Sequence, residues 1–161
     1  MKKWIRIFDS IEEKIVITLL VIIFIIIFSH VIGRYVFRQP IFFAEEISRY
    51  CFIWMTLLTA SIGISRGAHT RVTYFVSLLP IKAEKTVELI QDVCILIFLG
   101  TLLYFGTYLT IRTMDIPTAA LQWPWGLVYL SAPVGSACMI FKIIRKMINT
   151  IRTFNQTSEQ N

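Results

Sequence analysis

Long apolar stretches bounded by charged residues organise the whole chain. Ile15 to Gly33 reads "IVITLLVIIFIIIFSHVIG", 19 residues with no charge, and Val93 to Ile111 forms a second uncharged stretch of 19. Tyr50 to Ser65 gives 16 between Arg49 and Arg66, and Ile116 to Phe141 gives 26, of which the first third reads as loop. Crossing the hydrocarbon core takes about 20 apolar residues in helical form, so the pattern predicts four spans. The stretch Tyr50 to Ser65, at 1.5 Å per residue, would reach only about 24 Å of a core about 30 Å thick. Its helix must therefore begin earlier and carry Glu45, Glu46 and Arg49 towards the interface. The expected spans are 15–37, 44–66, 88–111 and 124–147, in a single four-helix membrane domain over 1–152, followed by a polar tail at 153–161.

Between the second and third spans, Val72, Phe75, Val76 and Leu79 repeat at the i, i+3, i+4, i+7 spacing of one helical face. Arg66 and Arg71 precede them and Pro80 closes the segment. A short amphipathic helix over about 70–79 is expected on the membrane interface, with Phe75 towards the acyl chains and the arginines towards lipid phosphates. The alternative is an extension of a core helix. The fold class is therefore all-α integral membrane protein, with four transmembrane helices and one interfacial helix.

Composition agrees with a bilayer as solvent. Of 161 residues, 56 % are hydrophobic and 16 % charged, and the mean hydropathy is +0.68. The net charge of +6 is not that of a nucleic-acid binder, because the cations sit at the ends of apolar stretches. With four spans, one side of the membrane holds Lys2, Lys3, Arg6, Lys14, Arg66, Arg71, Lys82, Lys85, Lys142, Arg145, Lys146 and Arg152, against Arg34, Arg38, Arg49 and Arg112 on the other. The positive-inside rule then places both termini in the cytoplasm. Tyr35, Tyr104, Tyr108, Trp123, Trp125 and Tyr129 cluster towards the opposite ends, as an aromatic belt would. The first span is expected to be an uncleaved anchor, since Asp9, Glu12 and Glu13 precede it and no A-x-A site follows.

Motifs of catalysis are absent from the sequence: no G-x-S-x-G, H-E-x-x-H, Walker A or C-x-x-C occurs. The expectation is no enzyme and no cofactor in this chain. His30 and His69 fall on opposite sides of the membrane and cannot share a haem. Cys51, Cys94 and Cys138 each fall inside a span, where packing is the simplest role. No carboxylate is expected at a span's midpoint, where an ion-coupling site would be placed.

The stretch "FFAEEISRYCFIWM", Phe42 to Met55, concentrates charge at the threshold of the second span. Glu45 and Arg49 are spaced for an i, i+4 pair, and Arg34 and Arg38 lie across a turn on the same side. Three readings are open: a cluster that pins helices or clamps a partner subunit, charges that snorkel to headgroups, and a direct transport role.

In this context "GRYVF", "AEEISRYCFIWMTLLTASIGISRGAH", "VTYFVSLLP" and "PWGLVYLSAPVGSACMIF" together resemble the small, Q-type membrane subunit of tripartite ATP-independent periplasmic (TRAP) transporters. These blocks cover most of residues 33–141. The resemblance implies a bacterial inner-membrane accessory subunit of a sodium-coupled importer of organic acids. Its partners would be a large membrane subunit that holds substrate and sodium, and a periplasmic binding protein. Arg34, Arg38, Glu45, Glu46, Arg49 and Trp54 become candidate scaffold or subunit-interface residues. The loop "RTMDIPTAALQWP", Arg112 to Pro124, is a candidate docking surface for the binding protein, through Asp115, Gln122 and Trp123, or else a turn with membrane-anchoring aromatics. The alternative function is a small homodimeric transporter with Glu45 or Glu46 as its ion-coupled carboxylate.

Overall fold

The computed structural model describes residues 2–39, 41–65 and 81–158. Four long helices and one short one make up the described part: α1 (Lys2–Tyr35), α2 (Ala44–Ser65), α3 (Ile81–Arg112), α4 (Gly126–Tyr129) and α5 (Ser131–Ser158). Each of the four long ones contains a stretch apolar and long enough to cross a membrane: Asp9–Tyr35, Ala44–Ser65, Leu89–Arg112, and Gly126–Ile148 across α4 and α5. The expected interfacial helix at 70–79, with Arg66, Arg71 and Phe75, lies outside the described residues, as does His69.

α4 runs almost directly into α5, and Pro133 explains the break between them. Proline has no N–H to return to the carbonyl of Tyr129, and its ring crowds that position, so the helix is interrupted one turn earlier. Leu130 keeps helical angles there and bonds back to Gly126 at 2.8 Å. At the far end α5 continues as helix through Ser158, into the polar tail that begins at 153. No Gly or Pro follows Arg152 to stop the helix.

The helices are neighbours in the order α1, α2, α5, α3, with α1 and α3 at the two edges. Their apolar core centres on Leu99, Met139 and Ile143, packed by Leu57, Ala60 and Ile64 of α2 and by Ile95, Leu96 and Leu102 of α3. α5 can approach both neighbours because its own side chains, or theirs, are small at the crossings. A Cβ on Gly135 would stand 2.9 Å from the Leu57 Cβ, and one on Gly106 would stand 3.1 Å from the Ala132 Cβ. Such close crossings of small residues are how helices gain dispersion contacts where lipid removes the hydrophobic drive.

α1 is different. None of its most apolar stretch is buried, and Ile15, Leu20, Phe24 and Phe28 all face outward. α1 packs on α2 along one side only, through the half-buried stripe Val16, Leu19, Ile23 and Ile26, and polar contacts at its two ends add to that packing. At the end nearer α2's start, His30 Nδ1 lies 3.1 Å from the Ile41 carbonyl oxygen. The Gln39 amide there donates to the Gly33 carbonyl at 3.0 Å. At the other end is a buried ionic cluster.

Candidate functional site

Two polar centres stand at opposite ends of the helices. The first lies near the chain termini and joins α1, α2 and α5. Lys142 is 8 % exposed and Glu12 3 %, and the Lys142 ammonium donates to Glu12 Oε2 at 2.5 Å. It also reaches Asp9 Oδ1 at 2.9 Å and the Ser61 carbonyl at 3.3 Å. Ser61, fully buried, donates its hydroxyl to Glu12 at 3.2 Å, and Ser65 donates to Asp9 at 3.1 Å. One step along α5, Lys146 pairs with the buried Asp92 of α3 at 2.9 Å. All four long helices are thus joined at this end, α1, α3 and α5 by ion pairs and α2 through the Ser61 and Ser65 hydrogen bonds. An ammonium has three donors, and here oxygens of Asp9, Glu12 and Ser61 stand within reach of them.

Helical spacing sets this cluster up. Asp9 and Glu12 are three apart and Ser61 and Ser65 four apart, so each pair shares one face of its helix. Lys142 and Lys146 repeat the four-residue step on α5. Sequence reading assigned these residues only to flanks and topology. The available signal was the presence of opposite charges at matching depth in the first and fourth spans.

The second centre is at the other end, around Glu46. Its Oε2 accepts the amides of Ala120 at 2.7 Å and Leu121 at 3.2 Å, and its Oε1 accepts the Tyr50 hydroxyl. The 113–125 loop is shaped to meet it. Pro117 and Pro124 form an antiparallel bridge. Across it the Thr118 amide donates to the Trp123 carbonyl at 2.7 Å, and the Trp125 amide to Ile116 at 2.9 Å. The buried Thr118 hydroxyl accepts the Trp123 amide at 3.0 Å. Gln122 turns the loop with φ of 57°. Trp125 packs edge-on to Tyr50 with ring centroids 6.0 Å apart, and Trp54 Nε1 donates to the Leu127 carbonyl at 3.2 Å. Glu46, Tyr50 and Trp54, one turn apart along α2, seat the loop and α4.

The remaining sequence candidates fall elsewhere. Glu45 and Arg49 form the expected i, i+4 pair at 2.8 Å, with side chains 78 % and 59 % exposed. They share an outward stripe of α2 with Phe52, Thr56 and Thr59. Arg34 lies over the Tyr35 ring, 5.9 Å from its centroid, and Arg38 is exposed with φ of 55°. Among the described residues no ion pair joins either arginine to Glu45 or Glu46, so the charges near the turn do not form a single cluster within the chain. Asp115, Gln122 and Trp123 are all exposed on the loop. Cys51 and Cys138 are half-buried and Cys94 is exposed, all three as free thiols.

Comparison with known proteins agrees with this architecture. The family model for tripartite ATP-independent periplasmic transporters, DctQ component, matches residues 23–153. Over 149 residues the chain is 26 % identical to the sialic acid TRAP transporter small permease protein SiaQ of Vibrio cholerae serotype O1, covering 91 % of this chain and 85 % of that protein. It is 28 % identical over 161 aligned positions to the C4-dicarboxylate TRAP transporter small permease protein DctQ of the same organism, covering 85 % and 69 %. The isethionate TRAP transporter permease protein DctMQ of Oleidesulfovibrio alaskensis is 29 % identical over 153 residues, which are 89 % of this chain but 24 % of that longer one. With four apolar helices of spanning length, this is a multi-pass membrane protein. It belongs to the DctQ-component family of tripartite ATP-independent periplasmic transporters, whose members are transporter subunits and not enzymes.

Proposed function

We propose that the chain is the small accessory subunit of a sodium-coupled secondary importer of organic acids in a bacterial inner membrane, with both termini in the cytoplasm. It packs against a large permease subunit and helps to receive a periplasmic binding protein. The sodium and substrate sites belong to the large subunit, and this chain carries no cofactor.

The observation that supports this reading best is the fate of the ionisable groups within the spans. Asp9 and Glu12 are engaged by Lys142, Asp92 by Lys146, and Glu46 by backbone amides. Each is committed to holding one element of the chain to another, whereas an ion-coupling carboxylate must exchange its partner during transport. Relatives that carry the name of a small permease, and one in which the matching region is a quarter of a longer permease, support a large partner. The outward stripe of Glu45, Arg49, Phe52 and Thr56 is the surface we assign to that partner, with the 113–125 loop, through Asp115, Gln122 and Trp123, facing the binding protein.

The test is copurification from native membranes through a carboxyl-terminal tag, followed by uptake in proteoliposomes. A larger polytopic protein at equal stoichiometry, with uptake that needs both chains and sodium, is the expected result. A homodimer that transports solute alone would overturn it and return Glu45 to consideration as an ion-coupled carboxylate.

A further inference from the structure

Where the chain leaves α1 and folds back before α2, it borders an open, groove-like cavity of about 380 Å³ lined by Ser29, Ile32, Gly33, Phe37, Gln39 and Ile41. That volume is within the range of small-molecule sites. The walls are held in place by bonds already described, from the Gln39 amide to the Gly33 carbonyl and between His30 and the Ile41 carbonyl. Gly33 suits this arrangement, because a Cβ there would crowd the Gln39 carbonyl oxygen at 3.0 Å.

Two cations interleave with the lining residues. Arg34 follows Gly33, and Arg38 stands between Phe37 and Gln39; both are exposed. Among the described residues neither guanidinium has a carboxylate partner. Both lie where the apolar stretch of α1 ends, at headgroup level. The cavity continues from there towards Ser29, five residues before Arg34 or about 7.5 Å deeper along the helix axis. Charge at the membrane surface above an apolar slot is the complement of a phospholipid. A phosphodiester offers the paired oxygens that guanidinium groups bind well.

We propose that this cavity is a binding site for an anionic phospholipid, with the phosphate held between Arg34 and Arg38 and the upper part of one acyl chain in the slot between Ser29 and Ile41. The occupant is lipid because Phe28 and Val31, next to the lining residues Ser29 and Ile32 in α1, are exposed apolar side chains of the most apolar stretch of that helix. The site depends on the membrane-spanning architecture and not on the transport reading.

Native mass spectrometry of the full chain, released from nanodiscs of phosphatidylcholine doped with phosphatidylglycerol, tests this directly. The wild-type chain should retain phosphatidylglycerol in preference to phosphatidylcholine. Arg34→Gln/Arg38→Gln should lose that preference while keeping its thermal unfolding midpoint, and Ser29→Phe, which fills the slot and leaves both arginines, should retain less of either lipid. Equal retention of the two lipids by the wild type, or unchanged retention of phosphatidylglycerol by the double variant, would overturn the proposal. So would a photo-crosslinker at Phe37 that captures a polypeptide in cells instead of lipid.

Discussion

Lys142 of α5 and Glu12 of α1 lie 130 residues apart in sequence and share a hydrogen-bonded ion pair that is almost wholly buried. The pair sits in a low-dielectric setting, so its two members are worth far more together than either is alone. Removing one partner from a buried pair costs about 3–5 kcal/mol, whereas replacing both with apolar residues is often close to neutral. Lys142→Met should therefore destabilise the chain strongly, and Glu12→Leu/Lys142→Leu should recover most of the loss. Denaturant unfolding in detergent micelles measures both. Equal losses in the single and double variants would show that the pair is not what holds α1.

Glu46 offers a different case, because its partners are amides of the 113–125 loop. Glu46→Gln keeps one acceptor oxygen but loses the charge that strengthens its bonds to Ala120 and Leu121. Hydrogen exchange at those two amides should accelerate, with little change in α3 or α5. Exchange that rises evenly over the whole chain would mean that Glu46 supports global stability instead of seating the loop.

The crossing of α2 and α5 makes a steric prediction with an internal control. Gly135→Ala places a methyl 2.9 Å from the Leu57 Cβ, and overpacking of this kind costs about 1–3 kcal/mol. Gly100 of α3 has nothing within 4 Å of the same added atom. Gly100→Ala should therefore gain roughly 0.5–1 kcal/mol from the smaller backbone entropy loss. Unfolding curves of the two variants should move in opposite directions.

Glu45 and Arg49 form an exposed pair, and such pairs contribute at most about 1 kcal/mol to the chain that carries them. Charge reversal at Glu45 should leave the unfolding midpoint of the isolated chain nearly unchanged while reducing the yield of large subunit in a copurification. Normal recovery of the partner would remove the outward stripe of α2 from the interface.

The loop makes a prediction of its own. Asp115→Asn and Gln122→Ala should weaken binding of the substrate-loaded periplasmic protein to the reconstituted membrane complex, as read by surface plasmon resonance, without altering assembly. Unchanged affinity in both variants would assign the loop to architecture alone.

Much of the fold was legible before any coordinates. Uncharged stretches of spanning length fix four helices because a bilayer leaves no other way to satisfy the backbone. The i, i+4 spacing of Glu45 and Arg49 foretold their pair, and Pro117 and Pro124 marked the loop whose bridge they form. Arg34 and Arg38 were legible as charged residues near the membrane surface, but which of the open readings of that charge applies was not. Helical periodicity reports which side of a helix a residue occupies, and it carries no information about which distant segment meets that side.

That distinction separates what each level decided. By itself the sequence determined the number, approximate limits and lipid-compatible character of the helices, since length and local composition settle the cost of transferring each segment into hydrocarbon. Tertiary structure decided that α5 stands between α2 and α3, that Glu46 belongs to a loop 74 residues away, and that Lys142 meets Asp9 and Glu12. These are long-range choices. They depend on small residues such as Gly135 that permit close approach, and on the requirement that each charge taken from water finds an opposite charge or donor at the same depth.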